Sequence, residues 1–390
     1  MSVDSGKTQS YARKINNKLV INRLRTSPAS GTMLVEELNL SNSAISSILK
    51  QLESNGIIMQ SHSMANFTKG RKQVYYTLNR DYGIFVILCL SNNRCKIIVS
   101  NLKEEVLYKE EHEIAQYDVS VIYELILEVK KILHEKYQSL PLAGIYIALP
   151  GKVNSKTGEL QLSKHFDKAL FEEENKISRL FSLHFDAPIN IQNDTNLSIM
   201  GEKCAGALQD SEDALLVYVD NGVGASMILN GNFYTGAFGY AGEIGLMQAE
   251  FRGEKHYLDE FISMRSIKKH IEQEYGVKLV SKEVIDMYYR DKKLHNYIIE
   301  TAHLLGKKIK DILEVLNISK IVIQGRVTLF GEDYLNAIKE EVNKSQNQCE
   351  VCFSKLNGDS IFLGAMSKAV DDLIDLTTQK IMKEGVCENE

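Results

Sequence analysis

The chain has 390 residues, 44% hydrophobic and 25% charged, enough to bury sizeable cores in two or three domains. No apolar stretch approaches the roughly 20 residues that span a bilayer, and the polar start MSVDSGKTQS lacks a signal peptide's hydrophobic region, so a cytoplasmic protein without a membrane partner is expected. The net charge of −5 is unevenly spread: residues 1–80 hold 11 Lys and Arg against 4 Asp and Glu, a formal +7 that leaves −12 for the rest. A basic N-terminal module on an acidic body points to a nucleic-acid partner for the first eighty residues.

The elements of that module follow in order. Apolar positions including Ile15, Leu19 and Leu24 predict an amphipathic helix from Tyr11 to Arg25, and a shorter helix spans Met33 to Leu38. After the turn Asn39-Leu40, Ser41 offers an N-cap hydroxyl, and Ile45, Ile48, Leu49 and Leu52 fall at i, i+3, i+4 and i+7 of a third helix. Its opposite face carries Asn42, Ser43, Ser46, Ser47 and Lys50, short or flexible polar groups suited to base edges and phosphates in a major groove. Gly56 ends the helix, and Ile57–Gln60 and Gln73–Leu78 read as strands around a polar loop, SHSMANFTKGRK. The pattern is a helix-turn-helix with a β wing whose tip holds Arg71 and Lys72. Asn79-Arg80-Asp81 reads as a linker, dividing the chain into residues 1–80 and 81–390.

Beyond the linker, strands and helices alternate. Strands are predicted at Ile84–Leu90, Lys96–Leu102, Leu142–Leu149, Ile189–Gln192, Ala214–Tyr218 and Lys320–Gln324, and helices at Val119–Tyr137, Glu300–Leu316 and Ser360–Ile374, an α/β body. No internal repeat is visible. Cys89, Cys95, Cys204, Cys349, Cys352 and Cys387 are scattered and suit reduced thiols; the pair in CEVCFSKL lies three apart in a predicted strand, on opposite faces. Asp371-Asp372 reads as a solvated helix face.

Between Val219 and Met247 the chain reads VDNGVGASMILNGNFYTGAFGYAGEIGLM, with ordered glycines that predict a strand, a tight phosphate-type turn and a hairpin. This stretch resembles the signature of the ROK family, which comprises repressors, sugar kinases and related open reading frames. Ser226 stands where a small Gly or Ala is usual, and Leu246 where the family has histidine. The resemblance extends to the N-terminal module, through NNKLVINRLR, LNLSNSAISSILKQLESNGII and KGRKQVYYTLN, with Gln73 in place of the wing's usual proline. It implies a two-lobed, actin-like (ribonuclease-H-like) body with ligand in the interlobe cleft.

What the resemblance implies for chemistry differs along the cleft. The family's kinases cradle ATP phosphates with an Asp-x-Gly turn and a late Gly-Gly-Gly; here Cys89, Ser91, Gln324 and Arg326 stand at those positions, so nucleotide binding and catalysis are not expected. The sugar side is better kept. Pro150-Gly151, Asn193-Asp194 and Glu243 match sugar-contacting positions, Asp259 matches a sugar-contacting Glu with Glu260 as fallback, and His165 or Lys164, standing where the family carries an Asn, is expected to face the ligand. For Asp194 a helix N-cap role is an alternative. The family's structural zinc needs a histidine and three cysteines that this chain lacks, so neither metal nor cofactor is expected.

Together these residues predict a homodimeric repressor of carbohydrate genes, with a double-stranded operator and a small carbohydrate effector as partners. Two alternatives stay open: a sugar kinase with an appended DNA-binding domain, favoured by Asp194, and a regulator answering to a protein or a non-sugar ligand, favoured by Leu246 and the missing zinc ligands.

Overall fold

Ser30 and Ser41 each cap a helix of the N-terminal module, their hydroxyls accepting from the backbone N–H of Met33 and Ala44. The computed structural model describes residues 5–61, 73–91, 94–154, 157–163 and 165–387. Its first elements are α1 (Ser5–Thr26), β1 (Ala29–Ser30), α2 (Gly31–Leu38), α3 (Asn42–Ser54), β2 (Ile58–Ser61) and β3 (Tyr75–Leu78). Asn39 turns α2 into α3 with φ 53°, a left-handed conformation that asparagine tolerates. In α3 the expected Ile45, Ile48, Leu49 and Leu52 are buried. In α1 the buried face is Val20, Ile21 and Leu24, while Ile15 and Leu19 remain 41% and 40% exposed. Two-residue β1, too short to show alternation in sequence, pairs with β3 to give the sheet order β1-β3-β2. Arg71 and Lys72 lie outside the described residues.

The first lobe of the body comprises β4 (Ile84–Ser91), β5 (Arg94–Asn101), β6 (Val106–Glu113), α4 (Val119–Lys136), β7 (Leu142–Leu149), β8 (Lys152–Val153), β9 (Leu160–Leu162), α5 (Ile177–Ser182), β10 (Ile189–Asn193) and α6 (Asp194–Ala205). The second comprises β11 (Ala214–Val219), β12 (Val223–Leu229), β13 (Asn232–Tyr234), β14 (Gln248–Phe251), β15 (Glu254–Tyr257), α7 (Asp259–Ile262), α8 (Met264–Tyr275), α9 (Ser281–Tyr288), α10 (Lys292–Leu316), β16 (Lys320–Gln324), α11 (Glu332–Val342) and β17 (Glu350–Phe353). The chain ends in α12 (Ser360–Cys387).

The two main sheets have the same plan, β10-β7-β4-β5-β6 and β13-β12-β11-β16-β17. In each, three strands form an antiparallel meander, and two more add in parallel on the far side of the first. The lobes are thus a topological duplication that leaves no trace as sequence repetition.

Helices α6 and α12 join the lobes and cross at very close range. A Cβ on Gly201 would come within 2.1 Å of the Ser360 carbonyl oxygen, and one on Gly364 within 1.8 Å of that of Leu197. The fully buried Glu202 carboxylate adds a polar staple, accepting from Ala207 N at 2.7 Å, from Leu356 N at 3.1 Å and from the Ser354 hydroxyl. A buried carboxylate is tolerated when its lone pairs are filled in this way.

One apolar cluster runs from the module into the body. Val20, Ile21, Leu24, Ile45 and Leu52 share it with Met366, Ala369, Val370 and Leu373 of α12 and with Phe85 and Ile87 of β4. Asp371 and Asp372 are therefore not a merely solvated face. Asp371 pairs with Lys18 of α1 at 2.7 Å, and Asp372 accepts from the Tyr146 hydroxyl at 3.1 Å and Asn190 Nδ2 at 3.2 Å. Lys14 and Asp375 meet at 2.5 Å, and the largely buried Arg25 guanidinium pairs with Glu104 in the β5–β6 turn. No helix among the described residues is long and apolar enough to cross a membrane.

Candidate effector site and DNA-reading face

On α3, Asn42, Ser43, Ser46, Ser47 and Lys50 are all exposed. They form the face opposite the buried Ile45, Ile48, Leu49 and Leu52, so the geometry needed to enter a groove follows from helical periodicity. Ser43 Oγ lies 3.1 Å from the capping Ser41 Oγ, which ties the first reading position to the start of the helix.

The candidate effector site is built around the end of β7. Gly151 adopts φ 119°, and a Cβ there would meet the Leu162 carbonyl oxygen at 2.6 Å, so the Pro-Gly turn lies flat against the 160–163 segment. Gly151 O accepts from Asn193 Nδ2 at 2.8 Å. Asn193 Oδ1 accepts from the N–H groups of Thr195 and Asn196 at 2.9 and 3.2 Å, which makes Asn193 the N-cap of α6. Asp194 is instead the first residue of the helix; its Oδ1 accepts from Thr195 N at 2.8 Å. Burial pushes the Asp194 carboxyl up to about 7; the bonds from Thr195 work against this, and the charge of Asp220 works with it. Near neutral pH this group can both donate to and accept from a hydroxyl.

The second lobe supplies the facing wall. Gly242 takes φ 101°, and a Cβ on it would lie 1.9 Å from Ala225 O, so the loop bearing Glu243 is pressed onto β12. Glu243 opens to solvent, yet its surroundings raise its carboxyl above the ordinary range, against the pull of Lys152. Asp259 is ion-paired with Arg265, and its Oδ1 lies 3.7 Å from where a Cβ of Gly222 would stand. The fallback Glu260 is half exposed, near His256 at 3.9 Å. His165 is tied in through its backbone: its carbonyl accepts from Tyr117 N at 3.1 Å and its N–H donates to Ser163 Oγ at 3.3 Å. Lys164 lies outside the described residues.

One further residue was not singled out by sequence. Lys152 directly follows Gly151, and its ammonium sits 4.3 Å from the centroid of the Tyr240 ring on the other lobe. Its place after the Pro-Gly turn was the available signal. The unusual Ser226 also finds a role, since its buried hydroxyl donates to Asn196 Oδ1 and couples β12 to α6.

At the other end of the cleft, the residues standing in for nucleotide-handling groups are committed to the fold. Burial pushes the Cys89 thiol up to about 12, so it is protonated and no ligand for a hard cation. Ser91 donates to Arg94 O at 3.0 Å and closes the β4–β5 turn. Gln324 Nε2 donates to Asn357 O at 2.8 Å and to Ser360 Oγ at 2.6 Å. Arg326 Nε donates to Asp220 Oδ1 at 2.7 Å, and the guanidinium also reaches the Ser281 hydroxyl. Where family members carry zinc ligands, Leu246 is 59% exposed and the β14–β15 hairpin fills the shortened segment. Among the described residues no group of three or more His, Cys, Asp or Glu side chains is placed to hold a metal ion. Cys349, just before β17, and Cys352, within it, pack against different core clusters.

A profile described as the ROK family matches residues 91–369. The chain belongs to the ROK family. The xylose repressor of Caldicellulosiruptor bescii is 23% identical over 392 residues, covering 93% of this chain and 97% of that protein. The N-acetylglucosamine repressor of Escherichia coli O6:H1 is 25% identical over 335 residues and covers 81% of each. Among solved structures, a ROK family transcriptional regulator homologous to the Escherichia coli Mlc protein aligns with a TM-score of 0.78 at 20% identity, over 94% of this chain and 99% of that one. The ROK hexokinase of Thermus thermophilus aligns with 0.61 at 19% identity, over 75% and 99%. The body thus has the two-lobed actin-like ROK fold. The xylose repressor and the transcriptional regulator named above match over nearly the full length, and the chain is a transcriptional regulator rather than an enzyme.

Proposed function

We propose that this ROK regulator is a cytoplasmic homodimer that represses carbohydrate-utilisation genes and is released from its operator by a sugar or sugar-derived effector. Residues 1–80 form the DNA-binding domain, with Asn42, Ser43, Ser46, Ser47 and Lys50 reading the major groove and Arg71 and Lys72 of the wing holding the backbone or minor groove. Residues 81–390 form the sensor, with Gly151, His165, Asn193, Asp194, Glu243 and Asp259 around the effector. The observation that carries this reading is the contrast within one cleft. Beside the Asn193–Gly151 bond, the Asp194 and Glu243 carboxyls form no ion pair among the described residues, whereas Ser91, Gln324 and Arg326 at the nucleotide end are spent on structural bonds.

The proposed mechanism is linkage. An effector that draws Glu243 toward Asp194 acts on the first turn of α6; α6 is locked to α12 at Gly201 and Gly364, and α12 carries the module through Lys14, Lys18 and the shared apolar cluster. Operator affinity falls by the difference in effector binding to the two lobe arrangements.

The test uses full-length protein, operator DNA and a panel of sugars. Asp194→Ala and Glu243→Ala are expected to bind operator normally and lose release by effector. Normal release in both variants means that the cleft is not the sensor, and favours control by a protein partner or a non-sugar ligand, for which the exposed Leu246 offers an apolar contact.

A further inference from the structure

Between Leu246 and Asp259 the second lobe carries a hairpin with almost no core of its own. Of the residues in β14 and β15 only Ala249 is buried, and Phe251 is half-buried. Two such short strands are marginally stable in water, so the hairpin keeps its orientation through contacts at its two ends. At the base, Leu258 N donates to Met247 O at 2.8 Å. That bond joins the two segments bearing proposed effector contacts, Glu243 through the turn Ile244–Leu246 and Asp259 at the start of α7.

The tip is held by one side chain. Arg252 and Gly253 form the two-residue turn with φ 53° and 87°, both left-handed as in the type I′ turn, whose first position usually takes Asn, Asp or Gly. Among the described residues the other non-glycine positions with positive φ are asparagines, save Glu104, which Arg25 holds. Arg252 is held likewise. Its Nε donates to Glu300 Oε2 at 2.8 Å and its Nη2 to Oε1 at 3.1 Å. The guanidinium carbon lies 4.9 Å from the centroid of the Tyr297 ring and 5.6 Å from that of Phe251. Tyr297 and Glu300 lie three apart on one face of α10, and the buried Tyr297 stacks on His270 of α8 at 3.6 Å. Phe251 also packs on Phe261 of α7, with 5.5 Å between ring centroids. Arg252 and Glu300 are each 48% exposed, and a single-point ion pair at that exposure contributes little. A two-point fork lying against aromatic rings fixes direction as well as distance, which a hairpin without a core lacks.

We propose that Arg252 is a positioning residue for the effector: its clamp on Glu300 and Tyr297 sets the angle of the hairpin, and the hairpin sets where Glu243 and Asp259 stand. This rests on the cleft being the effector site. Arg252 lies roughly 13 Å from the base of the hairpin, at about 3.3 Å per strand residue, and acts through the backbone rather than on the sugar. Effector affinity thus depends on an ion pair outside the cleft, while operator affinity in the absence of effector does not.

The experiment uses the full-length protein. Pentoses, hexoses, N-acetylhexosamines and their phosphate esters are screened by calorimetry, and the sugar that wild type binds most tightly is titrated into Arg252→Asn, Glu300→Ala and the double variant. Asn keeps the left-handed turn, so a loss in the first variant is that of the clamp. Lys293→Ala serves as control, since it breaks the Lys293–Glu274 pair of α10 and leaves the hairpin alone. Circular dichroism verifies folding. R252N and E300A are expected to bind the sugar about fivefold or more weakly, with operator affinity in its absence unchanged. The double variant should be no weaker than either single one, because both remove the same clamp, and K293A should bind as wild type. Hydrogen exchange without sugar should find the Leu258 amide less protected in R252N and E300A. Wild-type sugar affinity in folded R252N, an equal loss in K293A, an additive loss in the double variant or unchanged Leu258 protection each overturns the positioning role. If no sugar binds while the Leu258 amide loses protection, the clamp stands, and the effector reading of the cleft falls and takes the positioning role with it.

Discussion

Arg326 holds Asp220 at the end of the second lobe's first strand and braces the same guanidinium against Ser281 at the start of α9. A nucleotide entering there would have to displace an ion pair that is partly shielded from water, and would find neither a carboxylate at position 89 nor an open glycine at 91. No ATP affinity is expected by calorimetry, and no ATP-dependent phosphorylation of any hexose, pentose or amino sugar. Arg326→Ala should cost ~1–3 kcal/mol in urea denaturation, because Asp220 is left uncompensated, without creating ATP binding. Sugar turnover that disappears in Asp194→Asn would refute this.

Asp194 gives the body a pH dependence of definite sign. Its carboxyl titrates at about 7 in the fold, chiefly because it is buried, and near ~4 in an unfolded chain. Between those values the folded state holds a proton that the unfolded state has released, so the contribution of this group to stability falls as pH rises through the window. Asp194→Asn should remove that slope. Relative to wild type, the variant should gain on the order of 2–3 kcal/mol between about pH 5 and about pH 8, read from urea midpoints. A constant difference across that range would show that the carboxyl is not raised.

The crossing of α6 and α12 should be intolerant of one added methyl group. A Cβ at Gly364 would stand 1.8 Å from the Leu197 carbonyl oxygen, a backbone atom that no rotamer change can move. Gly364→Ala is expected to destabilise by ~3 kcal/mol or more, whereas Gly358→Ala, with nothing within 4 Å of the new atom, should cost little. Equal melting temperatures for the two variants would contradict the close crossing.

Ion pairs between module and body should differ in weight according to burial. The Arg25 and Glu104 side chains are only 8% and 19% exposed, and removing either leaves a charge poorly solvated. Arg25→Ala is expected to cost ~2–4 kcal/mol, against less than ~1 kcal/mol for Lys14→Ala or Lys18→Ala. Denaturation of the three variants at two salt concentrations checks both the ranking and the screening.

The absence of the family's cysteines and of its histidine at Leu246 predicts a body whose melting temperature does not respond to chelators. Stoichiometric zinc by elemental analysis of protein purified without a metal-affinity tag would contradict this.

What the sequence revealed depended on the range of each interaction. Ser41 and the i, i+3, i+4 apolar spacing located α3 because capping and amphipathicity are local, and the uninterrupted apolar run Leu142–Leu149 located β7 for the same reason. The cap of α6 was assigned to Asp194 as an alternative, when the adjacent Asn193 performs it, because both residue types can cap and only backbone geometry separates them. Asp371 and Asp372 looked solvated because Lys18 and Tyr146, which answer them, are remote in the chain. Lys152 went unremarked for a similar reason, its aromatic partner lying on the other lobe. The duplicated strand order was invisible because a topology can be shared by sequences that match nowhere.

The apolar continuity between α1, α3 and α12 bears on how such a regulator can be re-engineered. Met366, Ala369, Val370 and Leu373 are buried by residues of the first helices, so the reading head and the last helix were shaped against each other. Swapping in the head of another repressor to redirect the operator would need its matching α12 face as well. A chimera cut at the linker alone would carry an uncovered greasy seam and aggregate before its specificity could be measured. The natural exchange unit in this architecture is a pair of segments from opposite ends of the chain.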